Sequence, residues 1–193
     1  MKRYLIYFFI LAFMIWSRAG NVLCSEPSSG EGVKEKNSSE KEETKLTWYE
    51  YDEGLAKAKK EKKHIIVYFY TTQCGWCKRM DQYTFGNGEV KKTLNVNYVP
   101  IRVNSYSGEK VKVEGKQVTE GQVAAMYRVR AHPVTWFLKP SGERIAPRLG
   151  YVDADEFLYI LNWVKDDLYE KISFQEFVEQ EQKKQKTEKK ESK

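Results

Sequence analysis

The chain has 193 residues, of which 31% are charged and 41% apolar, so it holds one ordinary domain with extensions and is neither a multi-span membrane protein nor wholly disordered. The formal net charge of +6 lies at the two ends, because residues 1–24 carry three basic residues and no acid, and residues 181–193 carry six Lys and three Glu. Residues 25–180 hold 24 basic and 24 acidic side chains, and this neutral body argues against a surface that binds nucleic acid or another polyanion.

The first 24 residues have the pattern of an export signal. Lys2-Arg3 precedes thirteen uncharged, largely apolar residues, Tyr4–Trp16, and a basic start followed by a short apolar core is typical of a secretory signal. The apolar run is shorter than the roughly 20 residues of a membrane-spanning helix. Cleavage after small residues at 17–19 or 22–24, retention as a membrane anchor and lipidation of Cys24 are the alternatives. In each case the domain is expected to be periplasmic or otherwise extracytoplasmic.

Two polar segments flank the predicted domain. Residues 25–46 are predicted to be a flexible charged linker, since the stretch up to Lys45 has a single Val and no aromatic side chain and cannot bury enough apolar surface to fold. Residues 179–193, rich in Gln, Lys and Glu, are expected to be a charged tail that is a fraying helix or disordered. One domain, residues 47–178, lies between these segments.

Helices and strands alternate along this domain. A helix is predicted from Thr47 to the lysine run at 59–63, and His64–Tyr70 is a β-branched and aromatic run that is apolar on both faces, as in a central strand. Further helices are predicted at 74–83, at 87–94, from the capping box that begins at 119, and from 153. Further strands are predicted at 98–103, 134–138 and 143–149. The order predicts an α/β fold with a mixed β-sheet flanked by helices.

A pair of cysteines marks the junction of the first predicted strand and the second helix. Cys74 and Cys77 are separated by Gly75 and Trp76, so both sulfurs lie in the first helical turn and can close a small disulfide ring. Unpaired backbone N–H groups and the helix dipole at this position favour the thiolate of Cys74. The spacing therefore predicts dithiol–disulfide exchange, in which Cys74 is the nucleophile and Cys77 resolves the mixed disulfide.

Other interpretations of the cysteine pair stay open at this point. A structural disulfide is common in exported proteins. Half of a zinc site is a second possibility, although the chain has no second pair of this spacing and only two histidines. A copper site of Cys74, Cys77 and His132 is also chemically reasonable. Dithiol exchange is the favoured interpretation, and it requires no cofactor and no metal.

The domain resembles the thioredoxin superfamily, in particular exported thioredoxin-like proteins similar to SoxW and to the C-terminal domain of DsbD-type disulfide reductases. The resemblance covers about residues 47–178, and its matching segments are Ile65–Tyr70 leading to Cys74–Lys78, Tyr127–Phe137, Pro140–Gly142, Leu149–Phe157 and Tyr169–Phe177. It implies a single thioredoxin fold with an extra C-terminal helix. It further implies that Pro133 is cis and that its loop lies beside the active disulfide, where it holds an extended substrate segment.

Several residues depart from the familiar thioredoxin pattern. Tyr68 stands where thioredoxins keep a buried Asp that assists the resolving cysteine, and a tyrosine cannot be that base near neutral pH. Asp81, one helical turn after Cys77, matches an acidic position of the DsbD-type domains and is the candidate assisting carboxylate. An exposed Trp76 is expected to contact a partner. Residues 105–118 exceed the minimal fold and are expected to form a loop beside the site.

His132 is the candidate for tuning the cysteine pair. If Pro133 is cis, His132 is expected to lie within reach of Cys74, where a hydrogen-bond donor or a partial positive charge favours the thiolate and makes the couple more oxidising. The alternative is a loop histidine that points into solvent. Substitution of His132 by Ala is therefore expected to raise the pKa of Cys74 and lower the reduction potential.

These features predict an exported protein thiol–disulfide oxidoreductase that acts on protein disulfides, for instance those of apocytochromes. The resemblance favours reduction, with a membrane thiol reductase as electron donor, whereas His132 favours a disulfide-forming oxidase. A copper-binding chaperone and a redox-inert adaptor that binds through Trp76 are the alternatives from other classes. The protein is expected to be a monomer that does not bind nucleic acid.

Overall fold

A computed structural model describes residues 45–191, with side chains through Thr187. The predicted signal segment at 1–24 and nearly all of the predicted linker lie outside the described residues. Within 45–191, none of the helices combines the length and the apolar character needed to cross a membrane.

The described part of the chain alternates helices and strands. The elements are α1 (Tyr51–Glu61), β1 (His64–Tyr70), α2 (Gly75–Tyr83), α3 (Gly88–Asn97), β2 (Tyr98–Asn104), β3 (Lys110–Val113), β4 (Lys116–Thr119), α4 (Glu120–Met126), β5 (Val134–Leu138), β6 (Arg144–Leu149), α5 (Ala154–Lys165), a 3₁₀ turn (Leu168–Glu170) and α6 (Phe174–Glu191).

Four strands form one mixed sheet in the order β2-β1-β5-β6. β1 runs parallel to β2 and antiparallel to β5, and β5 pairs antiparallel with β6. In this register Tyr68 of β1 lies between Arg102 of β2 and Thr135 of β5. The predicted α/β fold with a central mixed sheet, flanking helices and an extra C-terminal helix is confirmed.

Alternating side chains of β1 supply both halves of the core. Ile66 and Tyr68 point to one side of the sheet, where they pack with residues of α2, α3 and α5. Ile65, Val67 and Phe69 point to the other side and pack with residues of α1 and α4. All five are fully buried, and each such side chain contributes about 1.5–3 kcal/mol of burial free energy. The central strand therefore has a fixed register, which in turn fixes the position of the residues that follow it.

The first helix begins later than the sequence pattern predicts. Tyr49 forms a parallel bridge to Ile101 of β2, with its N–H donating to the carbonyl of Pro100 at 2.9 Å. This pairing holds Tyr49 against the sheet, Glu50 is extended, and the helix starts at Tyr51.

The segment predicted as a loop at 105–118 contains a two-stranded hairpin of β3 and β4. Its turn consists of Glu114 and Gly115, with φ angles of 51° and 81°. Two successive residues with positive φ match the tight turn that suits the twist of a hairpin. The expected insertion at 105–118 therefore includes regular structure.

Candidate active site

The cysteine pair lies at the start of α2, shortly after the end of β1. Cys74 is the N-cap residue of α2 and is disulfide-bonded to Cys77, with 5.2 Å between the two Cα atoms. The backbone N–H of Cys77 donates to Sγ of Cys74 at 3.1 Å. This N–H belongs to the first helical turn and has no carbonyl partner within the helix. The same group can therefore hydrogen-bond the Cys74 thiolate after reduction, and the helix dipole adds to the stabilisation.

The two sulfurs differ in accessibility. Cys77 is 1% exposed and packs within the core, whereas Cys74 is partly exposed at its edge. A client can reach the sulfur of Cys74 and cannot reach that of Cys77. This difference is compatible with attack by Cys74 and resolution by Cys77, and the two roles stay predictions.

The loop before β5 contains a cis peptide bond between His132 and Pro133, as the resemblance implies. The carbonyl of Pro133 accepts a hydrogen bond of 2.9 Å from the backbone N–H of Gly150. Gly150 has a φ of 78°, a conformation that glycine adopts without the steric cost of a Cβ. This bond ties the cis-proline loop to the end of β6.

His132 lies in the cis-proline loop and contacts the segment after β2. Its ring makes an edge-to-face contact with Tyr106, with 5.7 Å between ring centroids. Burial lowers the pKa of the His132 imidazole, so the ring is neutral at pH 7. Its buried Nε2 has no hydrogen-bond partner among the described residues. His132 can consequently form a hydrogen bond with a bound client, and its lowered pKa makes the imidazolium the minor form at neutral pH.

Tyr106 belongs to the insertion at 105–118. Its side chain is 78% exposed and contacts the ring of His132. The insertion thus does lie beside the cis-proline loop, as predicted.

A second group of polar residues surrounds the start of α2 from the β2 side. The Tyr68 hydroxyl is buried and donates to the carbonyl of Cys77 at 3.2 Å. Burial raises the pKa of this hydroxyl, and the charge of Asp81 raises it further. Tyr68 therefore stays protonated and holds the first turn of α2 without acting as a base.

Asp81 is half-buried one turn after Cys77 and forms an ion pair of 2.7 Å with Arg102. Burial raises the pKa of the Asp81 carboxyl, although the Arg102 guanidinium opposes the shift. One carboxylate oxygen, Oδ1, has no partner among the described residues. A carboxyl group with a raised pKa and a free oxygen on the same helix face as Cys77 has the properties of an assisting base.

Trp76 lies between the two cysteines in the chain and is 58% exposed. Its ring packs at 5.7 Å from that of Tyr151, and the Arg79 guanidinium lies 5.7 Å from its centroid. Arg79 is also within 5.6 Å of the ring of Tyr83, which is 56% exposed. These side chains form an aromatic surface beside Cys74, which suits the predicted role of Trp76 in contacting a partner.

The described residues do not assemble a metal site. Across 45–191 no three His, Cys, Asp or Glu side chains are grouped so that they could hold a metal ion. The three-ligand copper site of Cys74, Cys77 and His132 consequently lacks support in the geometry.

Sequence reasoning missed two residues of the site. Arg102 lies 21 residues after its ion-pair partner Asp81, and its guanidinium also lies 4.0 Å from the ring centroid of Tyr70. The available signal was a single charged residue inside the otherwise apolar strand Tyr98–Val103. Tyr106 carried no comparable signal, because its contact with His132 arises from the folding of the insertion.

Comparison with known proteins agrees with this geometry. A family model described as a thioredoxin-like domain matches residues 51–165. The chain belongs to this family. A solved thioredoxin from Thermus thermophilus is 28% identical, with a TM-score of 0.52, and the match covers 62% of this chain and 86% of that one. A thioredoxin-fold protein from Helicobacter pylori is 20% identical, with a TM-score of 0.51, over 69% of this chain and 88% of that one, and shows the shared fold.

A curated relative is an uncharacterized protein from Archaeoglobus fulgidus, 33% identical over 58 residues, which are 30% of this chain and 46% of that protein. The chain thus spans about half the length of this relative. The thioredoxin fold together with the Cys74–Cys77 disulfide supports a thiol–disulfide oxidoreductase.

Proposed function

We propose that this thioredoxin-like protein is an exported thiol–disulfide oxidoreductase that reduces disulfides of exported client proteins. The observation that carries the proposal is the asymmetric cysteine pair at the start of α2. Cys74 is partly exposed, and its sulfur accepts a hydrogen bond from the backbone N–H of Cys77, whereas Cys77 itself is buried. A purely structural disulfide has no need of this asymmetry.

The reaction follows from the positions of the two sulfurs. In the reduced protein the thiolate of Cys74 attacks one sulfur of a client disulfide, and the other client sulfur leaves as a thiolate. The Cys77 thiol loses its proton and attacks Sγ of Cys74, which breaks the mixed disulfide and releases the second client thiol. The client gains two electrons and two protons, and the protein ends with the Cys74–Cys77 disulfide. Asp81 is the candidate acceptor of the Cys77 proton.

Reduction is the proposed direction because of the resemblance to DsbD-type domains and the likeness to a bacterial thioredoxin. Each turnover leaves the protein oxidised, so a membrane thiol reductase is the proposed source of electrons. The stabilised Cys74 thiolate favours the dithiol form and thus the opposite direction. The reduction potential of the pair distinguishes these two directions.

Export is proposed from the sequence of the first 24 residues, which combine a basic start with a short apolar core. The polar stretch that follows would then separate the domain from the membrane or from the cleavage site. Fractionation of cells that produce the full chain tests this part: recovery in the cytoplasmic fraction would contradict it.

The reduction potential of the full chain should be measured first, by equilibration with glutathione or dithiothreitol buffers. A value near that of thioredoxin, roughly −270 mV, supports a reductase, and a value near roughly −120 mV supports an oxidase instead. Turnover of a protein disulfide such as that of insulin is expected with the wild type and is lost in Cys74→Ser. Cys77→Ser is expected to accumulate the mixed disulfide. A wild-type protein without turnover in either direction would contradict the proposed function.

A further inference from the structure

A groove of about 470 Å³ lies beside the cis-proline loop. One side consists of residues 127–134, which lead into β5, and the other consists of residues of β6 at the edge of the sheet. Three arginines line the groove and no acidic residue does: Arg128, Arg130 and Arg144. His132 and Pro133 also contribute to the lining, so the groove includes the cis-proline loop.

The three guanidinium groups have no carboxylate partner among the residues whose side chains the structure describes. None of the ion pairs formed among residues 45–187 includes Arg128, Arg130 or Arg144. Arg144 lies over the ring of Tyr127, at 3.9 Å from its centroid, and at 5.7 Å from that of Trp136. Stacking holds Arg144 in place and leaves its N–H groups available for an anion.

The backbone of this side of the groove is also free to bind. Arg128 and Val129 donate their N–H groups to the end of α4. Beyond them, no peptide group of residues 130–132 makes a hydrogen bond to another described residue. This stretch is at the surface, so its unpaired peptide groups are open to hydrogen bonds from a bound peptide.

We infer that the groove binds an acidic segment of the client protein next to the client's disulfide. This inference rests on the proposed function and adds a substrate class to it. The client backbone would pair with residues 130–132, and its Asp or Glu side chains would contact the three arginines. Apolar side chains beside the acids would lie on Trp136 and on Leu149, which is 64% exposed. A client with lysines at these positions would be repelled.

The test compares three peptides of equal length, each with one disulfide flanked by Asp/Glu, by Asn/Gln or by Lys. At low salt, the full chain is expected to reduce the acidic peptide with a kcat/KM about tenfold higher than that for the neutral peptide. Each exposed ion pair contributes up to about 1 kcal/mol, and a total of about 1.4 kcal/mol corresponds to a factor of ten. The preference is expected to shrink as salt rises.

The double variant Arg128→Gln/Arg130→Gln is expected to lose most of the preference for the acidic peptide. Its matched control is Lys59→Gln/Lys60→Gln, which removes the same charge from exposed positions of α1 and is expected to keep the preference. Arg144→Gln is measured separately because this side chain also packs on Tyr127 and Trp136. Equal rates for all three peptides with the wild type, or an equal loss in the control, would overturn the inference.

A binding measurement separates this inference from the redox proposal. In the double variant Cys74→Ser/Cys77→Ser, fluorescence anisotropy with a labelled, cysteine-free acidic peptide reports the groove without any exchange reaction. Binding that depends on Arg128 and Arg130 supports the groove even if no peptide is reduced, in which case only the proposed function fails. Reduction of all peptides without charge preference removes the inference and leaves the proposed function intact. Arginine-dependent sedimentation with phosphatidylserine vesicles, without peptide binding, would instead identify a membrane surface and contradict the client proposal.

Discussion

Tyr68 stabilises the start of α2 through one buried hydrogen bond to the carbonyl of Cys77. We expect Tyr68→Phe to lower the free energy of unfolding of the oxidised protein by about 1 kcal/mol, because a buried carbonyl loses a partner. Burial raises the pKa of the hydroxyl, which therefore takes no part in proton transfer. The pH dependence of mixed-disulfide resolution is thus expected to be the same as in the wild type. Urea unfolding and stopped-flow resolution kinetics check the two statements.

Tyr98→Phe is the matched control for this variant. The Tyr98 hydroxyl is equally buried and donates to the carbonyl of Leu161 at 2.5 Å, within α5. Tyr98→Phe should lower the free energy of unfolding by a similar amount and leave the reduction potential of the cysteine pair unchanged. A shifted pH profile in Tyr68→Phe alone would show that the hydroxyl does move a proton.

Substitutions of Asp81 and of Arg102 test the proposed base in two different ways. The Arg102 guanidinium lowers the pKa of Asp81 against the effect of burial, so Arg102→Gln is expected to raise the pKa of Asp81 further and move the pH profile of resolution to higher pH. Asp81→Asn removes the carboxylate and is expected to slow resolution about 10²-fold or more, the lower range for general base catalysis. Quenched-flow measurement of mixed-disulfide decay against pH checks both variants. Identical profiles in wild type, Arg102→Gln and Asp81→Asn would exclude Asp81 as the base.

At the scale of elements, the N-cap of α5 illustrates how a single residue defines a helix boundary. The Asp153 side chain accepts the backbone N–H of Glu156 at 2.9 Å. We expect Asp153→Ala to lower the free energy of unfolding by about 1 kcal/mol, the usual value of an N-cap. Asp155→Ala removes the same charge from the same helical turn without removing a cap bond, and is expected to cost only a few tenths of a kcal/mol. Equal losses in chemical denaturation would show that charge alone matters.

Local patterns predicted those elements whose formation depends on nearby residues. The apolar run His64–Tyr70 gave the central strand with its observed bounds, and Thr119 forms the capping box that its spacing predicts. The hairpin of β3 and β4 has a weaker local signal, because its turn contains Gly115 but Glu114 is not a residue that favours a tight hairpin turn. The start of α1 differs, because Tyr49 just before it pairs with β2, a tertiary contact that no local pattern reveals.

At the scale of the whole molecule, the site combines residues that no local pattern connects. The cysteine pair was predictable from its own spacing, since both sulfurs lie in one helical turn. The contact of His132 with Tyr106 joins two loops, and the ion pair of Asp81 with Arg102 joins a helix to a strand. Burial at these contacts determines the ionisation of His132 and Asp81. The sequence allowed a positive charge at His132, whereas the folded environment makes the ring neutral.

The lowered pKa of His132 also affects the stability of the whole fold. Its unfolded-state pKa is near 6.5, and burial lowers the folded value. Well above its unfolded-state pKa of about 6.5 the imidazole is neutral in both states and contributes no pH dependence. As the pH falls below that value, the unfolded chain binds the proton more readily than the folded protein, so stability declines until the folded pKa is passed. We expect His132→Asn to remove this part of the decline, as seen by urea unfolding of the oxidised protein between about pH 5 and pH 8.

The difference in free energy of unfolding between the wild type and His132→Asn isolates this effect, because all other side chains are the same in both proteins. Asp81 has a raised pKa and acts in the opposite sense, stabilising the fold as the pH falls, but its contribution cancels in the difference. The two stability curves should therefore run parallel above about pH 7 and separate below it, the wild type falling faster. Parallel curves over the whole range would mean that His132 titrates as it does in the unfolded chain. In that case an imidazolium would be available beside the cis-proline loop in mild acid, and the reduction potential should then vary with pH through that residue.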